Sequence, residues 1–385
     1  MRAQSSKTEL FDPYRAGYAL GQELAALMPE VVFLYSSTHY AVPELLEGLY
    51  EALGSDEVIV IGNCGGGVYE TTGVTDQGAV ALGLNSDGKV CWKITSIENA
   101  DQDLGSKLEA QFGTLEHDGQ LPSIAYLAAD FRIEAHTLEN YMHTHFRFPV
   151  IGGLAADNLL TRPMAQRSSY LYVNRQIMNR AVVVLAAYGP VNFSITVGNS
   201  IHCVGTPASV DHAEGNRIYR IDGIPASQFI QRETGSYLLS SDVAFVLLKV
   251  SSPETPEAGR LCAVIPGEVS PDESLRSIYR VPSGSRVQVA LAEPPELLAD
   301  VEVIADAQKA ADKHPVAALI VSCTGRKRVL GKQTHHEVDA LTARFPGLPL
   351  IGFPSHGEIA PLSLPTGYTG NHFHNMTYVL LLIEA

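Results

Sequence analysis

Three times along this chain a short, almost wholly apolar run passes into Ile-Gly, and that recurrence limits the folds open to it. The runs are Val58–Gly67 (VIVIGNCGGG), Pro149–Asn158 (PVIGGLAADN) and Leu348–Pro361 (LPLIGFPSHGEIAP). Each follows another apolar run and an amphipathic segment: Val31–Tyr35 then Pro43–Leu53, Ile124–Ala128 then Leu138–Phe146, Ala317–Cys323 then a helix near Glu337–Phe345. Strand, helix and strand within roughly 30 residues is the size of a βαβ crossover. A further apolar run closes each copy, at Gly78–Leu84, Arg180–Tyr188 and Met376–Ile383. The spacing is too long and irregular for a solenoid. The expected fold class is therefore α/β: two mixed-sheet domains built from degenerate βαβ-β units with flanking helices.

A chain of 385 residues exceeds what one compact core accommodates and suits two domains. Leu20, Leu24, Leu27 and Met28 recur at helical spacing before Pro29, which predicts a helical extension over 1–30. Between the second and third copies the pattern turns strand-rich, with strands expected at Asn192–Gly198, Ser200–Val204, Arg217–Ile221 and Val287–Leu291. Turns are expected at Gly205–Thr206–Pro207 and Glu214–Gly215–Asn216. Ile221–Asp222–Gly223–Ile224–Pro225 reads as a hinge into a helix over Ala226–Thr234, so the domains are expected at 31–222 and 223–385. Ser251–Gly259 (SSPETPEAG) reads as a proline-rich loop and Val301–Lys313 as a helix.

Composition narrows the function. A net charge of −15 argues against nucleic acid as the main ligand. The one basic cluster, Arg326–Lys327–Arg328, reads as a solvated turn or a local anion contact. No apolar run approaches the ~20 residues that span a bilayer. Residues 1–14 carry no apolar signal core, so a cytoplasmic location with no membrane partner is expected. Five cysteines stand singly, with no C-x-x-C pair, and read as reduced thiols.

Motifs for common chemistries are missing. The glycines at 62, 65, 66 and 67 do not fit G-x-G-x-x-G opening a helix, and no phosphate-loop motif occurs. A tight turn requiring positive φ, or a backbone that lets a small ligand approach, accounts for them. Histidines pair at His143 and His145, His335 and His336, and His372 and His374, but no third metal ligand lies at a familiar spacing. Solvated or capping roles are expected for them. Ser36–Ser37 and Cys323 follow strands, yet G-x-S-x-G is absent and no enzymatic activity is expected.

Val31–Tyr40 (VVFLYSSTHY), Val60–Thr72 and Val150–Asp157 resemble the FIST N domain. Ser322–Arg326 (SCTGR), Ile351–Pro361 (IGFPSHGEIAP) and His374–Thr377 (HNMT) resemble the FIST C domain. The resemblance covers about residues 30–385 and implies a sensory, small-ligand-binding module of signal transduction. Amino acids are the ligand class it suggests, with a separate partner such as a histidine kinase. A haem-binding nitric-oxide sensor is the alternative it raises. An enzyme of unknown reaction, or an interaction scaffold, stands third.

The turns at the strand ends are where α/β folds bind ligands, so the ligand-contacting residues are expected there. From the first copy these are Ser36, Ser37, Asn63, Cys64, Gly65 and Gly66, and from the second Asp157. The third contributes Cys323, Arg326, Phe353, Ser355, His356, Glu358 and Asn375. His356 stands where the family commonly has an aromatic residue. It reads either as a turn residue beside Glu358 or as a haem ligand walled by Phe353, Ile359 and Leu350, with His39, His202 and His374 as competitors.

Overall fold

The computed structural model describes residues 1–113, 115–157, 167–198, 201–236, 238–239, 245–252, 255–266 and 272–385. Three six-stranded sheets of one design surround a common core. The first has the order Arg2–Thr8, Ala79–Asn85, Val31–Ser36, Ile59–Cys64, Leu171–Val173, Gln176–Met178. The second is Cys91–Ile97, Val182–Tyr188, Ile124–Ala129, Val150–Leu154, Glu358–Leu364, Gly367–His374. The third is Phe193–Gly198, Tyr378–Glu384, Pro315–Cys323, Leu350–Ser355, Val68–Glu70, Gly73–Thr75. In each, only the two central strands are parallel. Helix Pro43–Leu53, helix Ala135–His145, and the pair Thr324–Leu330 and His336–Arg344 make the three crossovers. The α/β class with mixed sheets stands as expected.

The last two strands of each sheet are a hairpin supplied by another unit. The first unit's hairpin (68–75) lies on the third sheet, the second unit's (171–178) on the first, and the third unit's (358–374) on the second. The exchange is cyclic. Inner faces of all three sheets meet in one cluster that includes Phe33, Ile61, Tyr126, Ile151, Leu319 and Ile351. Each outer face is covered by its own helices: Pro13–Leu24 and Pro43–Leu53, Leu104–Gln111 and Ala135–His145, Pro294–Ala310 and His336–Arg344. Burial on both faces explains why the central strands read as unbroken apolar runs.

The Ile-Gly glycines lie inside strands, not at turns. In the parallel pairings Gly62 faces Leu34, Gly152 faces Leu127 and Gly352 faces Ile320. A Cβ on them would sit 1.8, 1.8 and 2.4 Å from the carbonyl oxygens of those three neighbours. Close backbone approach, rather than a turn, demands glycine there.

Between Phe193–Gly198 and Pro315–Cys323 the chain inserts a closed antiparallel barrel. Its ring runs His202–Glu214, Arg286–Leu291, Val246–Ser252, Thr255–Pro266, Leu275–Ser277, Arg217–Ile221 and back to His202–Glu214. Helix Ala226–Thr234 packs Phe229 and Ile230 into the barrel's core.

Several expectations are corrected. Residues 1–30 are not all helical: Arg2–Thr8 is an edge strand on Ala79–Asn85, and the helix spans Pro13–Leu24. A polar strand held by ladder hydrogen bonds leaves no apolar signal. The expected hinge at 221–225 is a two-residue hairpin, with Ile221 opposite Ile224 and positive φ at Asp222 and Gly223. The 222/223 boundary therefore falls within the barrel. Most of Ser251–Gly259 belongs to the hairpin of Val246–Ser252 and Thr255–Pro266. Gly205–Thr206–Pro207 is no turn but a register irregularity within His202–Glu214. Asn158 and Ser200 lie outside the described residues.

Candidate functional site

The three glycine-bearing strands end against one another, and backbone contacts tie the ends into a junction. The Ala156 amide donates to the Cys64 carbonyl at 3.0 Å, the Gly66 amide to the Pro354 carbonyl at 3.4 Å, and the His356 amide to the Leu154 carbonyl at 3.2 Å. Lys327, on the helix Thr324–Leu330 that follows strand Pro315–Cys323, reaches the Gly66 carbonyl and Asp76. Gly66 lies beside both neighbouring units: a Cβ there would make ordinary contact with the Asp157 carbonyl at 3.4 Å and Thr324 Cγ2 at 3.5 Å.

Most polar side chains at the junction are consumed in holding it. Ser36 Oγ lies 2.5 Å from the Tyr172 hydroxyl and 2.9 Å from the Ser37 carbonyl, while Ser37 Oγ accepts from the Gly78 amide. Asn63 accepts from the Tyr126 hydroxyl and donates to the Cys64 carbonyl, each at 3.0 Å. The Cys64 thiol donates to the Ala156 carbonyl and accepts from the Tyr170 amide, and burial pushes its pKa up to about 12. It is no nucleophile at neutral pH. Ser355 Oγ accepts from the Gly357 amide and lies 3.0 Å from the Leu154 carbonyl, which fixes the turn that presents His356.

Among the described residues His356 Nε2 and Asp157 Oδ1, buried at the junction, have no partner, nor does Ser169 Oγ, one residue before the Tyr170 amide that meets the Cys64 thiol. His356 is half-buried, with its Nδ1 3.3 Å from Thr324 Oγ1 and its ring edge-on to Phe131 at 5.5 Å. Burial and the nearby charge of Arg167 hold its pKa down to about 4, so the imidazole is neutral. Asp157 is 2% exposed and Ser169 fully buried. Unsatisfied groups at this depth cost about 1–3 kcal/mol each, and a polar molecule seated among them would remove that cost.

The FIST N domain profile matches residues 30–224 and the FIST C domain profile residues 227–361. The chain belongs to the FIST family. It is thereby a member of a sensory signal-transduction family with small-ligand binding. No curated protein matches it. Among solved structures, phosphoribosylformylglycinamidine synthase II from Thermotoga maritima aligns with 100% of this chain and 72% of that one. The identity is 10% and the TM-score 0.21, so the likeness carries no argument.

The remaining FIST motif residues serve other places. Arg326 is fully buried and turned from the junction: its Nε donates to Glu337 at 2.7 Å and its Nη2 to the Leu297 carbonyl at 2.9 Å. Its charge is spent on a packed ion pair, so it is not a surface anion contact. Asn375 accepts from the Ala263 amide at 3.1 Å and so ties the barrel to the sheets. Glu358 accepts from Thr377 and lies beside the Cys323 thiol, which burial raises. The Phe353 ring packs tilted against that of Tyr35 with centroids 4.6 Å apart, and Phe353, Ile359 and Leu350 sit in three separate core clusters. They do not wall an apolar slot around His356, so the described residues do not fit haem there. Of the competitors, His39 Nε2 donates to the Phe11 carbonyl on the surface, while His374 is buried against the Ala360 carbonyl.

Sequence reasoning missed Phe131, Thr324 and Ser169. Thr324 and Asp130–Phe131 follow the first strands of their units, as Ser37 does in the first, so the repeat itself was the available signal. A second polar cluster also went unseen. Glu139 binds Arg260 of the barrel, accepts from the Phe373 amide at 3.0 Å and lies near His372; despite its burial these partners hold its pKa at about 2.

Proposed function

We propose that this FIST chain is a cytoplasmic sensor that seats one small polar metabolite, an amino acid before other classes, at the strand-end junction. The observation that carries this reading is that, among the described residues, the buried atoms Asp157 Oδ1 and His356 Nε2 at the junction, with Ser169 Oγ close by in the chain to Cys64's partner Tyr170, have no hydrogen-bond partner. A carboxylate takes an ammonium group, and a neutral imidazole with Arg167 nearby suits a carboxylate or hydroxyl. Five free cysteines agree with a reducing compartment. The signal would pass to a separate protein, with a histidine kinase as the partner to try first. Because the junction joins all three units, occupancy there is felt by every sheet.

Calorimetry and thermal-shift measurement with the standard amino acids and related metabolites test the reading. One or more should raise Tm, and Asp157→Asn should lose at least about tenfold in affinity, or ~1.4 kcal/mol. No stabilisation by any compound, or unchanged affinity in Asp157→Asn, sinks it.

A further inference from the structure

On the far side of the crossover from Arg326, His335, His336 and Asp339 bring one donor atom each to within 4.8 Å of one another. They span the join between the 3-10 turn Gly331–His335 and helix His336–Arg344. The sequence pairs only the two histidines; the helical turn adds the carboxylate. His335 and Asp339 stand one turn apart, with Nε2 and Oδ2 separated by 3.8 Å. The His336 ring lies 4.3 Å from that of His335.

The arrangement is fixed from behind. His335 Nδ1 is 2.7 Å from the Lys332 carbonyl, which can only accept, so Nδ1 carries the proton and Nε2 keeps a lone pair towards Asp339. A carbonyl on the distal nitrogen is how metal-ligating histidines are oriented. Thr334 Oγ1 donates to the Gly331 carbonyl at 2.8 Å and braces the turn. Glu337, between the donors, is fully buried on Arg326 and Tyr69, and Val338 is buried beside it. The backbone that presents the three donors is therefore immobilised on its inner side. His335 and Asp339 side chains are 50% and 53% exposed, leaving room for water on a bound ion.

We propose that His335, His336 and Asp339 form a solvent-facing site for a divalent first-row transition ion of the zinc class, with water completing the shell. Two imidazoles and a carboxylate suit such ions and not calcium or magnesium, which want oxygen alone. Ligands at ~2.0–2.2 Å around a tetrahedral ion lie about 3.3–3.5 Å apart, so the 3.8 Å pair closes by a few tenths of an ångström on binding. The site is independent of the junction ligand.

Zinc titration of the full chain, free of any histidine tag, against a chromophoric chelator tests this. One Zn2+ per chain is expected, at least about tenfold weaker in each of His335→Ala, His336→Ala and Asp339→Asn. The double variant His143→Ala/His145→Ala should bind as the unaltered chain does. Circular dichroism of each variant checks folding, and Asp339→Asn keeps the helix even if a histidine variant disturbs it. No saturable one-to-one binding, or unchanged affinity in any of the three single variants, overturns the proposal.

Discussion

Glu358 has no solvent exposure, and its Oε2 accepts from the Thr377 amide at 3.3 Å and from its hydroxyl at 2.9 Å. Burial lifts its pKa from the ordinary 4.5 to about 8, with the Thr377 donors pulling the other way. At neutral pH the group is a neutral acid. Between pH 4.5 and 8 the unfolded chain has lost this proton while the folded chain keeps it. Stability therefore falls as pH rises through that window and levels off above it. Glu358→Gln keeps the shape without the charge, so it should raise Tm relative to the unaltered chain at pH 8–9, with the advantage vanishing towards pH 5. Parallel Tm–pH curves for the two proteins would contradict this. The residue was legible in the sequence as part of a G-E-I motif. Its protonation was not, because that comes from burial, which is made by segments distant in the chain and adjacent only in the fold.

At the level of elements, the central strands and crossover helices could be read because burial on both faces writes itself as apolar runs. Arg2–Thr8 and the hairpins at 68–75 and 171–178 could not. They are short or polar, and backbone pairing with distant strands holds them in place. The Ile-Gly signal was visible but its cause was not, since the crowding carbonyl belongs to the neighbouring strand. Gly152→Ala forces a Cβ to 1.8 Å from the Leu127 carbonyl and should cost about 2–4 kcal/mol. Gly54→Ala is the contrast: its space is open, and only the φ of +69° opposes a side chain, so the cost should be near 1 kcal/mol. Urea denaturation midpoints at a common m-value compare the two; equal losses would refute close approach as the reason for the Ile-Gly pattern.

For the whole molecule, the two family matches meet at 224–227, but the sheets do not divide there. A fragment ending at residue 224 would carry the 68–75 hairpin without its sheet and leave Val150–Leu154 without the 358–374 hairpin. Unpaired edges of this kind aggregate. The fragment expressed alone should therefore elute as aggregate on size exclusion, and co-expression with 225–385 should restore a soluble complex. A monomeric, folded fragment would mean that the exchanged strands are dispensable. None of this interlocking was legible beforehand, since local patterns state which face is apolar and not which sheet receives a hairpin. The exchange also bears on how the chain is made. Tyr69 leaves the ribosome roughly 280 residues ahead of its partner Gly352, about 15–60 s earlier at ~5–20 residues per second. Throughout that interval the first unit's hairpin has no place to go, so the three-sheet core closes only after the strand Leu350–Ser355 has been synthesised, and the nascent chain is a natural client for chaperones.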